Sequence, residues 1–305
     1  MELNSFVFPR PTPTYTHSNM FGKLIYVPKD VQQWAITSPH VSSKRVPTIY
    51  SQETKLQPYG SYKGKCIPCL YLPWHEPSSK ILLFFHGNAE DVCLTQELME
   101  TVQANLRVHV FVMEYEGYGV YEGKPSAEGI LEDAEIVFQY IIKAIGYSTT
   151  DIIVFGRSIG SGPAAYLASK YEIHSLILMS AFTSLRAVVK GFVGSLLQYL
   201  IAERFTNKDY MSKVKCPVFF LHGKKDNLVS CTQTEELKGL VKADAELYMP
   251  EEMDHNLFDF EQDFVVPLAE FYLKRALSVQ PEPPQTGIII LPLKAFNKPI
   301  NILNH

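Results

Sequence analysis

The sequence has no excess of positive charge and no basic run. Its 305 residues include 28 Lys and Arg against 32 Asp and Glu, which gives a formal net charge of −4 at pH 7. The basic residues are scattered, and aromatic residues are not interleaved with them as they are on surfaces that bind nucleic acid. We therefore expect no nucleic-acid partner.

Long apolar segments are also missing. No stretch approaches the ~18 uninterrupted apolar residues that a membrane-spanning helix needs. The N-terminal sequence MELNSFVFPRPTPTYTH has no basic start followed by an apolar segment, so it does not match a secretory signal. We expect a cytoplasmic protein whose contact with membranes, if any, is peripheral.

Cysteine is scarce and dispersed. The five cysteines, an odd number, are typical of a reducing compartment rather than of a disulfide framework. Cys66 and Cys69 form a C-x-x-C pair, but no second pair completes a zinc site, and the pair lies in an expected strand instead of opening a helix. We therefore expect no metal site, no redox site and no cofactor.

What the sequence does contain is an alternation of apolar strands and helical segments. After the proline-punctuated segment 1–20, the strand-like runs KLIYV and GKCIPCLYL favour an antiparallel sheet edge. From ILLFFHG onward, apolar strands are separated by segments with helical spacing. This order indicates βαβ crossovers and a mainly parallel sheet covered by helices on both faces. The predicted fold class is α/β.

Two segments depart from this alternation. Residues 182–211 include the apolar AVVKGFVGSLLQYLIA. They are predicted either as a helical connection on the sheet or as a cap whose apolar face lines an acyl pocket or contacts a membrane surface. Residues 281–305 begin with a proline-rich linker and continue as the strand-prone GIIILPL. This C-terminal tail is predicted either to add a strand to its own sheet or to dock on a protein partner.

One serine stands at an abrupt strand-to-helix turn. DIIVF has the composition of a buried strand, and AAYLASKY has helical spacing. Between them, Ser158 is flanked by Gly156 and Gly160, which tolerate strained dihedrals and close backbone approach. G-x-S-x-G in this context is typical of a nucleophile elbow. For the five residues alone, a glycine-rich turn without chemistry is the alternative.

The partners that a serine nucleophile needs follow along the chain. Asp226 comes after the strand CPVFFLHG, and His255 comes after AELYMP, just before the last helix. The order Ser, Asp, His, each after a strand, is that of an α/β-hydrolase sheet, in which these loops meet at one edge. We predict Ser158 as the nucleophile, His255 as its base and Asp226 as the group that orients the base. The backbone N–H groups of Ile159 and Asn88 are predicted to form the oxyanion hole.

Other candidates for the acid and the base fit this pattern less well. Asp209 is predicted as a helix N-cap before MSKV. Asp254 is adjacent to His255, and adjacent side chains on a loop rarely face each other. His86 and His222 end strands in HG dipeptides, and both are predicted to be structural, with rings that bond to the following loops.

Four segments together carry a resemblance to a known family. FFHGNAED, EYEGYGVYEGKPS, VFGRSIGSGPAAYLAS and LHGKKDNLV resemble the α/β-hydrolase superfamily, in particular the α/β-hydrolase domain-containing protein 17 group. The resemblance covers most of residues 20–275 and implies the same triad and oxyanion donors, whereas the apolar segment 187–202 and the tail 281–305 are not shared with that group. We expect an α/β-hydrolase domain over residues 21–280, with 182–211 as its cap. It also implies removal of palmitate from protein cysteines. Unlike that group, which carries acylated N-terminal cysteines, this sequence has no cysteine before Cys66.

Two functions of different classes follow. The first is a serine hydrolase that cleaves an ester or thioester, as an acyl-protein thioesterase does, with an acyl ester or an acylated protein as substrate. The alternative is a hydrolase fold used as a structural or interaction subunit of a larger assembly, which the C-terminal tail suggests. A peptidase of the related oligopeptidase branch is less favoured, because no propeller or other gating domain precedes the hydrolase portion.

Overall fold

Eight strands form one mixed sheet in the structure, which is a computed structural model and describes residues 7–16, 18–20, 23–34, 66–76, 78–190 and 203–277. The strands are β1 Leu24–Pro28, β2 Cys66–Leu72, β3 Ile81–Phe85, β4 His109–Met113, β5 Ile152–Arg157, β6 Ser175–Met179, β7 Val218–Leu221 and β8 Ala245–Tyr248. Their spatial order is β1-β2-β4-β3-β5-β6-β7-β8. The pairs β1–β2 and β2–β4 are antiparallel, and the pairs from β4 to β8 are parallel. The predicted α/β class and antiparallel edge are confirmed.

The α-helices that lie wholly within the described residues cross between these strands or, in one case, follow the last of them. They are α1 Gln96–Leu106, α2 Ala127–Tyr140, α3 Ser161–Lys170, α4 Asn207–Met211, α5 Cys231–Leu240 and, after β8, α6 Val266–Lys274. α2 begins after Ser126, whose side chain accepts the N–H of Gly129 as an N-cap. A π-helical turn extends α2 to Ile145, and the chain leaves it at Gly146 with a φ of +98°. A second π-helical turn, Phe260–Val265, leads into α6.

Strands β1 to β7 each contribute side chains to two cores, one on each face of the sheet. On β3, Ile81, Leu83 and Phe85 pack in the core that includes residues of α2 and α3. Leu82 and Phe84 pack in the core that includes residues of α1 and α6. All five side chains are buried, and burying each contributes about 1.5–3 kcal/mol. Because both faces are covered, a central strand such as β3 is a continuous apolar run rather than an alternating one.

The N-terminal segment packs on the domain through aromatic side chains. Phe8 is fully buried, and its ring meets that of Phe205 edge to face, with centroids 6.4 Å apart. Tyr15 is buried and donates its hydroxyl to Oε2 of Glu114 at 2.8 Å. This burial could not be predicted from the sequence, because the prolines indicate only that the segment is not helical.

The prediction that Asp209 is a helix N-cap is wrong. α4 begins at Asn207 after the N-cap Thr206, so Asp209 lies inside the first turn. Tertiary contacts fix this start: the buried Asn207 side chain donates to Ser161 Oγ at 3.0 Å and to the carbonyl of Phe182 at 2.9 Å. The local pattern contained no sign of these contacts.

Some of the sequence predictions fall on residues outside the described part of the chain. Residues 191–202, the apolar centre of the predicted cap, are among them, as is the C-terminal tail 281–305. No helix within the ranges given above has the length and apolar character to cross a bilayer.

Candidate active site

Ser158 lies at a strained strand-to-helix turn. It follows β5 directly and has a φ of +51°, in the left-handed region that non-glycine residues rarely occupy. Two glycines make the turn compact: a Cβ on Gly156 would lie 2.3 Å from the carbonyl oxygen of Gly160, and a Cβ on Gly160 would lie 2.1 Å from that of Phe85. The backbone therefore has the geometry of a nucleophile elbow, packed directly on β3.

Three of the predicted residues form a hydrogen-bonded chain. His255 Nε2 lies 3.0 Å from Ser158 Oγ, and His255 Nδ1 lies 2.7 Å from Asp226 Oδ2. The three residues follow β5, β7 and β8, whose carboxyl ends meet at one edge of the parallel sheet. All three are more than nine-tenths buried. This arrangement lets His255 accept the serine proton while Asp226 fixes the orientation of the ring.

Asp226 is held by donors on both of its oxygens. Oδ1 accepts the N–H groups of Leu228 at 2.9 Å and Val229 at 2.8 Å, and Oδ2 contacts His255 and, at 3.1 Å, His222 Nε2. Burial alone would raise the pKa of Asp226, but hydrogen bonds from His222, His255 and Val229 lower it overall. The carboxylate is therefore ionised at neutral pH and accepts the Nδ1–H of His255, which leaves Nε2 of His255 free to accept the serine proton.

His222 makes more contacts than the structural role predicted from the sequence requires. Its ring bonds to the following loop as expected, with Nε2 2.8 Å from the carbonyl of Val229. The same ring also touches Asp226, and its Nδ1 lies 2.6 Å from Thr234 Oγ1 on α5. The signal that could have revealed this contact is the four-residue spacing of His222 and Asp226 in one short loop after β7.

The elbow and the loop after β3 lie in contact. A Cβ on Gly160 would meet the carbonyl oxygens of Phe85 at 2.1 Å and of His86 at 2.8 Å. Ile159 is in the turn at Ser158–Gly160, and Asn88 follows two residues after His86. The two residues predicted as oxyanion donors therefore belong to adjoining backbone segments beside Ser158.

The side chain of Asn88 holds its own loop. Its Nδ2 donates to the carbonyl of Val7 at 2.8 Å, and its Oδ1 accepts the hydroxyl of Tyr118 at 2.7 Å. The next residue, Ala89, has a φ of +59°, so the loop turns sharply here. Because the side chain is engaged elsewhere, the backbone N–H is the group of Asn88 that is suited to an oxyanion.

A buried polar pair supports the base of the same loop. His86 is fully buried; its Nε2 lies 3.0 Å from Glu114 Oε1, and its Nδ1 lies 2.9 Å from the carbonyl of Gly87. Its ring stacks on that of Tyr115 with centroids 4.0 Å apart, and the Tyr115 hydroxyl donates to the carbonyl of His86 at 2.8 Å. The prediction that the ring of His86 bonds to the following loop is confirmed, whereas its partner Glu114 was not foreseen.

The C-x-x-C pair lies on β2 as expected. Burial raises the pKa of the Cys66 thiol to about 11, so this thiol is protonated at neutral pH, unlike a reactive cysteine. Each of the five cysteines is free. Among the residues that the structure describes, no three His, Cys, Asp or Glu side chains are grouped so that they could hold a metal ion.

Sequence comparisons find relatives over much of the chain. A family model described as serine aminopeptidase, S33, matches residues 76–208. The α/β-hydrolase domain-containing protein 17C of Xenopus tropicalis is 30% identical over 230 residues, which are 73% of this chain and 73% of that protein. Protein bem46 of Schizosaccharomyces pombe is 33% identical over 178 residues, which are 56% of this chain and 60% of that protein.

Solved structures share the fold at lower identity. The Pyrococcus furiosus esterase Pf2001 matches with a TM-score of 0.61 and 16% identity, over 88% of this chain and 98% of that chain. Mouse α/β-hydrolase domain-containing protein 10 matches with a TM-score of 0.55 and 15% identity, over 72% of this chain and 98% of that chain. At such identities the likeness establishes the architecture.

Proposed function

The chain belongs to the α/β-hydrolase superfamily, in the family of the α/β-hydrolase domain-containing 17 proteins, and we propose that it is a serine hydrolase acting through an acyl-enzyme. Its substrate in this proposal is an acyl ester or thioester. The observation that carries the proposal is the chain of contacts from Ser158 Oγ through His255 to Asp226, at 3.0 and 2.7 Å.

The proposed reaction has two stages. Ser158 Oγ attacks the substrate carbonyl while His255 Nε2 takes the hydroxyl proton, and the carbonyl oxygen becomes an oxyanion held by the N–H groups of Ile159 and Asn88. The carbon–sulfur or carbon–oxygen bond then breaks, and His255 returns its proton to the leaving thiol or alcohol. Water repeats the sequence on the acyl-enzyme and releases the carboxylic acid and the free serine.

Two observations support an acyl substrate. The resemblance to the domain-containing 17 group implies removal of palmitate from protein cysteines, which is thioester hydrolysis. Leu228 and Leu257, each two residues after a triad residue, are 44% and 73% exposed, so apolar side chains flank the loops of Asp226 and His255. The favoured substrate is an acylated protein in the cytoplasm or at a membrane surface. The alternative role as an interaction subunit depends on residues 281–305, outside the described part of the chain.

A panel of p-nitrophenyl esters and acyl thioesters of increasing length tests the proposal. We expect the wild-type protein to hydrolyse members of the panel, and Ser158→Ala to lower kcat by at least about 10³-fold. Ser161→Ala is the matched control, because Ser161 is a buried serine at the start of α3, directly after the turn, and its hydroxyl oxygen accepts from Asn207 instead of contacting His255. The proposal would be overturned if the wild-type protein hydrolysed neither the esters nor the thioesters, or if the two variants lost kcat equally.

A further inference from the structure

Arg157 immediately precedes Ser158, and its side chain reaches two other loops of the site. Its Nη2 donates to the carbonyl oxygen of His255 and to Oδ1 of Asn256, both at 3.0 Å. Its Nη1 pairs with the carboxylate of Glu90 in the loop after β3. One buried guanidinium therefore connects the end of β5, the loop after β3 and the loop after β8.

Glu90 continues the connection into the backbone beside Asn88. The Glu90 oxygen not engaged by Arg157 accepts the N–H of Gly87 at 2.8 Å. A Cβ on Gly87 would lie 3.0 Å from Arg157 Nη1, so the guanidinium lies directly against this loop at a residue without a side chain. The pair thus fixes the backbone immediately before the predicted oxyanion donor.

Burying the guanidinium of Arg157 costs desolvation free energy, and a gain in packing does not account for the choice of a charged side chain here. Burial lowers the pKa of Arg157 below its usual range, and the charge of Asp226 opposes this effect only in part. Within the described residues, Arg157 Nε is buried and has no hydrogen-bond partner. A well-packed apolar side chain in place of a buried ion pair is often neutral or stabilising, so a stability role would not call for a guanidinium.

We propose that Arg157 is a positioning residue that clamps the His255 loop and the Asn88 loop in register with Ser158. The proposal rests on the proposed hydrolase function. Because Arg157 holds the backbone oxygen of His255 itself, release of this bond lets the imidazole drift from its 3.0 Å contact with Ser158 Oγ. A misplacement of about 1 Å can cost about 10²-fold in rate. A planar fork is needed, since one ammonium cannot reach both loops.

The test compares kinetic constants of four variants on one ester that the wild type hydrolyses. We expect Arg157→Gln to lower kcat by about 10²-fold and Arg157→Lys by at least about 10-fold, with KM changed by less than about threefold. Glu90→Gln should lower kcat less, because a glutamine can still accept the Gly87 N–H. The double variant Arg157→Gln/Glu90→Gln should match Arg157→Gln, because the ion pair is already lost in the single variant.

Arg275→Gln is the matched control for loss of a paired guanidinium. Arg275, after α6, pairs with Asp244 through two hydrogen bonds, at 2.6 Å from Nε and 2.9 Å from Nη2, and neither residue contacts the triad. This variant should keep kcat within about twofold of wild type. An equal loss in Arg275→Gln and Arg157→Gln would overturn the clamp.

Fluorophosphonate labelling separates positioning from unfolding. A loss of folded protein lowers the final fraction labelled, whereas displaced loops lower the rate constant and leave the final fraction near that of wild type. For Arg157→Gln we expect a lower rate constant of labelling and a final labelled fraction near that of wild type. A rate constant equal to that of wild type would refute the clamp, as would a loss of kcat in proportion to a loss in the final labelled fraction. If wild type hydrolyses the ester and Ser158→Ala does not, the proposed function stands. Arg157 variants that then keep the wild-type kcat would refute the clamp alone. An inactive, unlabelled wild type would defeat the proposed function and the clamp with it.

Discussion

His222 Nε2 lies 3.1 Å from the same Asp226 Oδ2 that His255 Nδ1 contacts at 2.7 Å. His222 is fully buried, and its Nε2 also faces the carbonyl oxygen of Val229 at 2.8 Å. A carbonyl oxygen only accepts, so Nε2 carries the proton and is a donor to Asp226 as well. The carboxylate proposed to orient the base is therefore itself oriented by a second imidazole.

Replacements of His222 should differ according to which ring nitrogen they imitate. In His222→Gln the amide extends to about the place of Nε2 and can still donate to Asp226, whereas in His222→Asn it reaches only to the place of Nδ1, beside Thr234. We expect kcat for ester hydrolysis to fall by about 10-fold or more in His222→Asn and by clearly less in His222→Gln, since only the former loses a charge-assisted hydrogen bond to the carboxylate. Equal kcat values in the two variants would argue against this role.

Asp226→Asn should keep the fold intact and abolish most of the hydrolytic activity. An amide in place of the carboxylate can present an N–H to His255 and favour the wrong tautomer, a change that lowers kcat by about 10⁴-fold in a comparable triad. Asp209→Asn is the control, because Asp209 is the acid that the sequence offered as a rival and it lies exposed on α4. Steady-state kinetics of both variants checks the assignment; activity lost in Asp209→Asn and kept in Asp226→Asn would reverse it.

The elbow should not tolerate a methyl group at Gly160. A Cβ there would lie 2.1 Å from the backbone oxygen of Phe85, so Gly160→Ala must push the turn away from β3. We expect a loss of about 1–3 kcal/mol in the free energy of unfolding, with kcat reduced because Ser158 moves with the turn. Gly239→Ala is the control: it is on α5 in open space, and we expect a gain of about 0.5–1 kcal/mol. Urea unfolding measures both, and equal stability of the two variants would contradict the packing.

His109 should make the fold sensitive to acid. Burial lowers its pKa to about 4, and its Nδ1 accepts the N–H of Trp74 at 3.1 Å, which requires the neutral ring. A histidine in the unfolded chain has a pKa of about 6.5, so the neutral ring stabilises the fold above that pH, and this contribution is lost as the pH falls towards 4.

The variant His109→Asn keeps an acceptor for Trp74 but does not titrate. Between pH 7 and pH 4.5, the free energy of unfolding of the wild type should fall by on the order of 2 kcal/mol more than that of His109→Asn. Urea unfolding at the two pH values gives the difference. Parallel losses in the two proteins would mean that His109 is not the group responsible.

The sheet could be predicted from the sequence because its signals are local. A run such as Ile81–Phe85 is apolar on both faces only if both faces are covered, and the spacing of the runs leaves room for one helix each. The candidate triad could be predicted for the same reason: Ser158, Asp226 and His255 each follow a strand, and parallel strands bring their ends to one edge.

What could not be predicted depends on side chains that are distant in sequence. Arg157 meets Glu90 across 67 residues, and Tyr15 meets Glu114 across 99. No periodicity or spacing connects such residues, and a charged side chain is by default expected to be solvated. The wrong helix start at Asp209 has a related origin, because tertiary contacts override local capping preferences.

The most direct test of the proposed nucleophile is to map the side chain to which a fluorophosphonate attaches. The protein is treated with the probe, digested, and mapped by mass spectrometry alongside Ser158→Ala and Ser161→Ala. We predict one label per molecule, on the peptide containing Ser158, absent from Ser158→Ala and retained by Ser161→Ala. A label on any other side chain, or one that persists in Ser158→Ala, would show that the hydroxyl 3.0 Å from His255 Nε2 is not the nucleophile.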